Sequence, residues 1–315
     1  MAKSNSFFSI RRGSTKSHTY SGWQGQQVTK DRVVNVKNPR SASQQAQRMK
    51  FAAVGNFYKY LKFILNHSWE GVTYGVNSYN KFMSENVKNF DTSSMIIPEF
   101  GSKVAEAGTY KVSEGSLPVQ NDATDVENFA FSFLARSSAA GQITVGDIRG
   151  AWFDKGNPDY ITIVGLYSTV EPDGSPNVNY QTKGFALRLH NPSEADATAI
   201  TTANFATLFA PEYVGISSSE IVITVDTSDT EALGTVTIKA GTSTGELAID
   251  TGIYVLCYGV IGSKKSNDSW LRSNCILSLT DDVTSLVATS NAANIASWPT
   301  GADYILNGEA TAVIE

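Results

Sequence analysis

The chain is poor in the residues that most active sites and most exported proteins depend on. Its 315 residues contain two cysteines and three histidines. Cys257 and Cys275 lie in apolar, strand-like stretches ("YVLCYGV", "NCILSL") with neither a second cysteine nor a histidine beside them. That pattern argues against zinc and predicts two buried thiols on paired strands. His18, His67 and His190 fall far apart, without metal-ligand spacing, and His67 reads as a capping or packing residue at a helix end. No apolar run approaches the length needed to cross a bilayer, so membrane insertion is not expected. The first residues, "MAKSNSFFSIRRGSTKSHTY", lack the apolar core of a secretory signal, which predicts use inside a cell or release by lysis.

Catalytic motifs are equally scarce. There is no G-x-S-x-G, P-loop, H-E-x-x-H or dinucleotide fingerprint. "GTSTGELAIDTG" has glycines and hydroxyls but no phosphate-loop lysine and no following helix, so it reads as a hairpin turn. Asp226, Asp229 and Glu231, like Asp281 and Asp282, lack the spacing of a calcium loop and read as solvated strand ends. The expectation is a protein that is not an enzyme and holds neither cofactor nor metal.

Acids are nearly missing from the first 90 residues. Only Asp31, Glu70 and Glu85 stand against 14 Lys and Arg, a net charge of +11, whereas the remainder carries −16. So polarised a chain presents its basic end to something anionic, nucleic acid included, or pairs it with an acidic end, within or between copies.

What is present divides into two patterns. Residues 1–15 are basic and Ser-rich and read as an arm that orders on contact with a partner. "SHTYSGWQGQQVTKDRVVNV" reads as a hairpin turning at Gln24-Gly25, ended by Asn38-Pro39. Ser41 followed by Gln44 fits a capping box, opening a helix from about Ser41 to about Asn66. Met49, Ala53, Phe57, Tyr60 and Ile64 form its apolar stripe. A second helix is expected around 73–89, with Val76, Tyr79, Met83, Asn86 and Phe90 on one face. The Trp69-Glu70-Gly71 link predicts an antiparallel helical hairpin. Beyond about residue 100 the pattern changes to period two, with strong turns such as "EPDGSPN" and one short helix in "SEADATAITTANFATLFA". The expected fold class is α+β: an N-terminal β-hairpin plus an antiparallel helical hairpin, followed by predominantly antiparallel β-sandwich (Ig-like) module(s). The expected domains are 1–15, the basic arm; 16–92, the hairpin and helical-hairpin assembly module; and 93–315, a β-sandwich region of one or two modules.

Outward positions at the start of the first helix are Arg40, Gln44, Gln45, Gln47 and Arg48. Long, polar and mostly uncharged, they suit contact with another protein chain, and Arg11 and Arg12 in the arm join them. Lys16, Trp23, Lys30, Arg32 and Lys37 are the candidates for nucleic-acid contact, where cations neutralise phosphates and aromatics stack on bases.

The stretch "NPRSASQQAQRMKFAAV", followed by "YGVNSYNKFMSENVKN", resembles a pattern found in an uncharacterised family of proteins from gut Bacteroidetes, their prophages and their phages. The upstream "RRGSTKSHTYSGWQGQQVTKDRV", the later "VSEGSL" and the closing strands "VLCYGVIGSKKSNDSWLRSNCILSL" resemble the same family. The likeness is good over residues 11–120 and loose beyond, with longer insertions between about 140 and 240. The resemblance implies a phage-associated structural protein. The expectation is therefore a virion component (capsid, portal/neck or tail-associated), made in the host cytoplasm, that forms homo-oligomers, binds other virion proteins and contacts packaged DNA. The alternatives are a nucleic-acid-binding protein and a surface- or carbohydrate-binding sandwich with a shallow groove and an exposed tryptophan, the candidates being Trp152, Trp270 and Trp298.

Overall fold

The computed structural model describes residues 2–4, 13–23, 26–32, 42–72, 76–88, 96, 106–120, 125–127, 130–136, 142–169, 182–226, 233–241, 254–267, 269–281, 283–284 and 291. It divides into two compact units, Met1–Gln44 and Gln45–Glu315.

The first unit is a four-stranded antiparallel sheet. Its strands are β1 (Ala2–Ser4), β2 (Gly13–Ser14), β3 (His18–Trp23) and β4 (Gln26–Asp31), in the order β1-β4-β3-β2. Pairing of Trp23 with Gln26 closes the expected hairpin across a two-residue loop, Gln24-Gly25, which itself lies outside the described residues. Within residues 1–15, expected as an arm that orders on contact with a partner, Ala2–Ser4 and Gly13–Ser14 supply both edge strands. The edge backbone groups of the hairpin are thereby paired within the chain.

Helix α1 (Ala42–Tyr60) starts at the end of the first unit and runs into the second, where α2 (Lys62–Leu65) and α3 (Val76–Lys88) follow. The helix begins one residue after Ser41, whose own capping role lies outside the described residues. Met49, Ala53 and Phe57 are buried as the stripe predicts, and Val54, Tyr58, Leu61 and Leu65 bury the adjacent row. The helix breaks at Leu61. Next to the break the Tyr60 carbonyl rests on Gly184, where a Cβ would collide with it. On α3 the buried row is Ser78, Phe82 and Asn86, while Tyr79 and Met83 lie outside it. Two polar residues can occupy this row because both bond to backbone: Ser78 Oγ donates to the Asn66 carbonyl, and the Asn86 amide bonds Phe82 and Lys111. Phe57, Phe82 and Tyr110 stack between the helices and the loop that follows. The helical hairpin is present. It shares its core with the strands below.

Those strands are β5 (Lys111–Ser113), β6 (Asp125–Glu127), β7 (Ala130–Arg136), β8 (Tyr160–Ser168), β9 (Lys183–His190), β10 (Glu212–Val214), β11 (Ser217–Asp226) and β12 (Leu233–Gly241). They continue with β13 (Tyr254–Ser266), β14 (Ser269–Arg272), β15 (Cys275–Ile276) and β16 (Ser278–Leu279), while α4 (Val145–Trp152) and α5 (Thr202–Phe209) lie among them. A central sheet runs β10-β9-β8-β13-β14, with β16 also on β13, and a second runs β11-β12-β7-β6. All these pairings are antiparallel. The two sheets pack face to face in one core. Phe131 and Phe133 of β7 and Val236 and Ile238 of β12 meet Ile161, Ile163, Phe185, Leu187 and Leu189. Trp152 of α4 and Phe205 and Phe209 of α5 close that core.

The central sheet has a second covered face. Val164 and Leu166 of β8, with Leu256, Cys257 and Ile261 of β13, pack on Phe57, Leu61, Leu65 and Phe82 of the helices. The layers are therefore helices, sheet, sheet. Strand β8, buried from Ile161 to Ser168, is sandwiched between both cores. Its unbroken apolar run, "ITIVGLY", is the signature of a strand covered on two sides.

Other expectations fall unevenly. Both cysteines are free, buried thiols in this helix-facing core, and burial pushes the Cys257 thiol up to about 12. Their strands are not partners: β15 pairs with β5, and β13 with β8, β14 and β16. The segment "GTSTGELAIDTG", expected as a hairpin turn, lies beyond its first residue, Gly241, outside the described residues, and the strands that flank it, β12 and β13, belong to different sheets. The short helix in "SEADATAITTANFATLFA" is α5. Helix α4 was not anticipated, although Thr144 and Asp147 form a reciprocal capping box that the sequence "TVGD" spells out. The turn "EPDGSPN" lies outside the described residues.

Candidate functional site

The residues singled out from the sequence fall in two places. In the N-terminal sheet, Lys16, Lys30 and Arg32 are exposed. Arg32 binds the start of the hairpin: its amide donates to the Ser17 carbonyl at 2.7 Å and its guanidinium to the Thr15 carbonyl at 3.4 Å. Lys16 and Arg32 thus share one end of the sheet, and Lys30 stands opposite Thr19 on β4. Trp23 ends β3. On α1, Gln44, Gln47 and Arg48 are exposed beside buried Met49, and Gln45 lies in the same first turns. Arg11, Arg12, Lys37 and Arg40 lie outside the described residues.

A different set of side chains builds a concave site. The helix-facing side of the central sheet is covered at Val164 and Leu166, but the helical layer ends at α2. Beyond it the same sheet face forms the floor of a groove, where Thr162, Ile261 and Ser263 stay buried and the side chains around them are more open. Strand register sets the residues side by side: Glu212, Arg188, Thr162 and Ile261 form one row, and His190, Tyr160, Ser263 and Arg272 form the next. With Phe63, Ile64, His67 and Ser68 from α2 and its end, and Trp270 from β14, they line a groove of about 320 Å³. His190 stands at its edge.

Cations and aromatic rings alternate along it. The Arg272 guanidinium lies 5.1 Å from the Trp270 ring centre, and Arg188 lies 5.7 Å from that of Tyr160. The Tyr160 and Trp270 rings are 5.5 Å apart. Such placements over ring faces are favourable, by about 0.5–1 kcal/mol where exposed. Arg188 donates to Glu212 at 2.9 Å, and the other Glu212 oxygen lies 3.2 Å from His190 Nε2. Arg272 Nε donates to the His67 carbonyl at 3.0 Å. Burial, and then the like charge of Arg188, push the Arg272 guanidinium down to about 10, against the pull of Glu70.

The segment "VSEGSL" fastens this site. Val112 and Leu117 are buried. Ser113 Oγ donates to the carbonyls of Ser68 and Ser273. Glu114 joins Lys81, Glu85 and Lys111 in a four-membered ion network. Gly115 has no room for a Cβ, which would collide with the Arg272 carbonyl and the Glu70 carboxylate. Ser116 N and Oγ both donate to Glu70, which also accepts from the Arg272 amide at 3.2 Å. Partial burial works against ionisation of Glu70, but the Ser116 and Arg272 amides outweigh it and hold its carboxyl below the ordinary range. The end of α2 and the strand that carries Trp270 and Arg272 are thereby locked together.

Of the three tryptophans considered for a groove, Trp270 lines it and is 39% exposed. Trp152 is core, and Trp298 lies outside the described residues. Arg188, Tyr160 and Arg272 were missed from sequence. The available signal was in "FALRLH": one face reads Phe, Leu, Leu and the other Ala, Arg, His, so the second covering layer stops partway along the strand.

Among the described residues no group of His, Cys, Asp and Glu could hold a metal ion, and no helix is long and apolar enough to cross a membrane. No curated protein and no solved structure matches the chain significantly. Residues 11–151 match a family model described as "Family of unknown function (DUF6266)", which takes in the hairpin, the helices and "VSEGSL" but stops short of Arg188, Trp270 and Arg272.

Proposed function

We propose that this protein is a structural component of a bacteriophage particle that assembles through its basic N-terminal end. One observation carries the reading. The compact unit Met1–Gln44 holds eight Lys and Arg against the single acid Asp31, a net +7, while residues 45–315 carry −12. A small sheet so charged suits docking on an anionic surface, and the acidic remainder of a second copy is such a surface. Its partners are further copies of this chain, other virion proteins and packaged DNA, and its place is the virion. The resemblance of "NPRSASQQAQRMKF" to phage-associated sequences supports the same context.

The test is assembly against salt. Sedimentation at low ionic strength is expected to show oligomers that dissociate as salt rises. Charge reversal at the exposed Lys16 and Lys30 is expected to abolish them without moving the melting temperature. Gln45→Ala with Arg48→Ala should weaken assembly while changing stability by less than about 0.5 kcal/mol. A protein that stays monomeric at high concentration and low salt, and is absent from particles by mass spectrometry, ends this reading. DNA affinity that falls by orders of magnitude between about 50 and 200 mM salt, without self-association, moves the basic sheet to nucleic-acid binding.

A further inference from the structure

The groove on the central sheet is built from residues that the assembly reading does not use. Its chemistry is specific. Arg272 spends Nε on the His67 carbonyl, and its two terminal nitrogens make no hydrogen bond to any described residue. Glu212 is occupied by Arg188 and His190. Two guanidiniums therefore face one cavity whose lining holds a single carboxylate, that of Glu212 on the edge strand β10, beside Arg188, and the like charges repel. An oxyanion relieves that repulsion, since guanidinium binds carboxylate or phosphate through two parallel N–H bonds. The rest of the lining is not suited to a bare ion. Trp270 and Phe63 are both partly exposed and offer ring faces, and Thr162 and Ser263 bring hydroxyls to the floor. A volume of about 320 Å³ is at the lower end for small-molecule sites and admits one or two sugar rings.

We propose that this groove binds an acidic sugar: a ring carrying an oxyanion, its charge taken by Arg272 and Arg188 and its C–H face laid on Trp270. Glu212 and the floor hydroxyls are then placed to bond ring hydroxyls. This inference holds whether or not the chain assembles through its basic end.

The experiment uses the full chain, with binding read by saturation-transfer NMR and calorimetry. The probes are D-glucuronate, glucose 6-phosphate, glucose and inorganic phosphate. Saturable binding of either charged sugar, at least tenfold tighter than glucose and than phosphate, is expected, and the stronger of the two names the oxyanion. Arg272→Gln and Trp270→Ala should each weaken it tenfold or more. Arg272 also secures the His67 carbonyl, so Arg188→Gln, a change at a half-exposed position, provides the second charge variant, with melting curves for all three. Glucose binding as well as the charged sugars, phosphate competing as well as they do, no saturable binding by any sugar, or folded variants that bind unchanged would each overturn the assignment.

Discussion

The N-terminal sheet and the central sheet are both antiparallel, yet they are stabilised differently. In the N-terminal sheet Val28 is the one buried side chain among those described, while His18, Thr19, Tyr20, Ser21, Thr29, Lys30 and Asp31 are partly or fully exposed. In the central sheet β8 is buried along nearly its whole length, with one face in an aromatic-rich sandwich core and the other beneath helices. Burying a large apolar side chain is worth about 1.5–3 kcal/mol, so the central sheet accumulates stability that the N-terminal sheet has little means to match. Sheets with the same pairing can thus serve opposite ends, one as a scaffold and one as a charged surface held by backbone bonds.

The sharpest test of that contrast is a pair of core truncations. Phe57→Ala, which empties the stack with Phe82 and Tyr110, is expected to cost about 3–5 kcal/mol in urea unfolding. Val28→Ala should cost less than half as much, and equal losses would erase the distinction. A smaller effect is expected from Gly184→Ala. The added methyl meets the Tyr60 carbonyl rather than a flexible side chain, so a loss of about 1–3 kcal/mol should appear as a lowered melting temperature. A wild-type melting curve would show that the helices can lift off the sheet freely.

Acid should separate the two sheets by a further, smaller margin. The Lys111 bond to Glu114 holds that carboxyl below its ordinary value. At Glu85 partial burial opposes the shift, and the Lys81 bond leads the contacts that overcome it. With Glu70, three carboxyls of the larger unit titrate lower in the fold than in the unfolded chain. The unfolded chain then takes up protons first as pH falls. The stabilisation is complete above the ordinary value of 4.5 and is lost progressively below it. Melting curves from pH 7 to 3 should show that slope, and Glu70→Gln should flatten part of it. Least of all is expected from Lys30→Ala or Gln47→Ala: exposed positions of this kind should stay within about 0.5 kcal/mol of wild type.

Where the sequence was legible, a single periodicity ruled. The first helix reads directly, because its stripe faces one core throughout. The N-terminal hairpin reads from its turn. Helix α3 reads correctly at Asn86 but slips by one residue before it: Ser78 and Phe82 are buried in place of Tyr79 and Met83, Ser78 because its hydroxyl bonds to backbone. The strands were recognisable, but their sheet membership was not: β12 and β13 are successive in sequence and belong to different sheets. The groove was the least legible feature. Its lining comes from α2, β8, β9, β10, β13 and β14, and only register brings Arg188, Tyr160 and Arg272 together. One of its residues, Trp270, is among the three tryptophans that the sequence offers for an exposed groove.

The lock made by "VSEGSL" carries a consequence for the order in which the molecule is made. Glu70 receives the amide of Arg272, 202 residues later in the chain, and Ser113 bonds Ser273 across 160. Contacts so distant in sequence slow folding, because a long loop must close before any reward returns. On the ribosome the helices emerge early but cannot be fastened until the strand after Ser266 has left the exit. The basic sheet, whose partners all lie within the first 32 residues, needs no such wait. It can complete itself while the helices behind it still have an open face, and the last third of the chain arrives as their clasp.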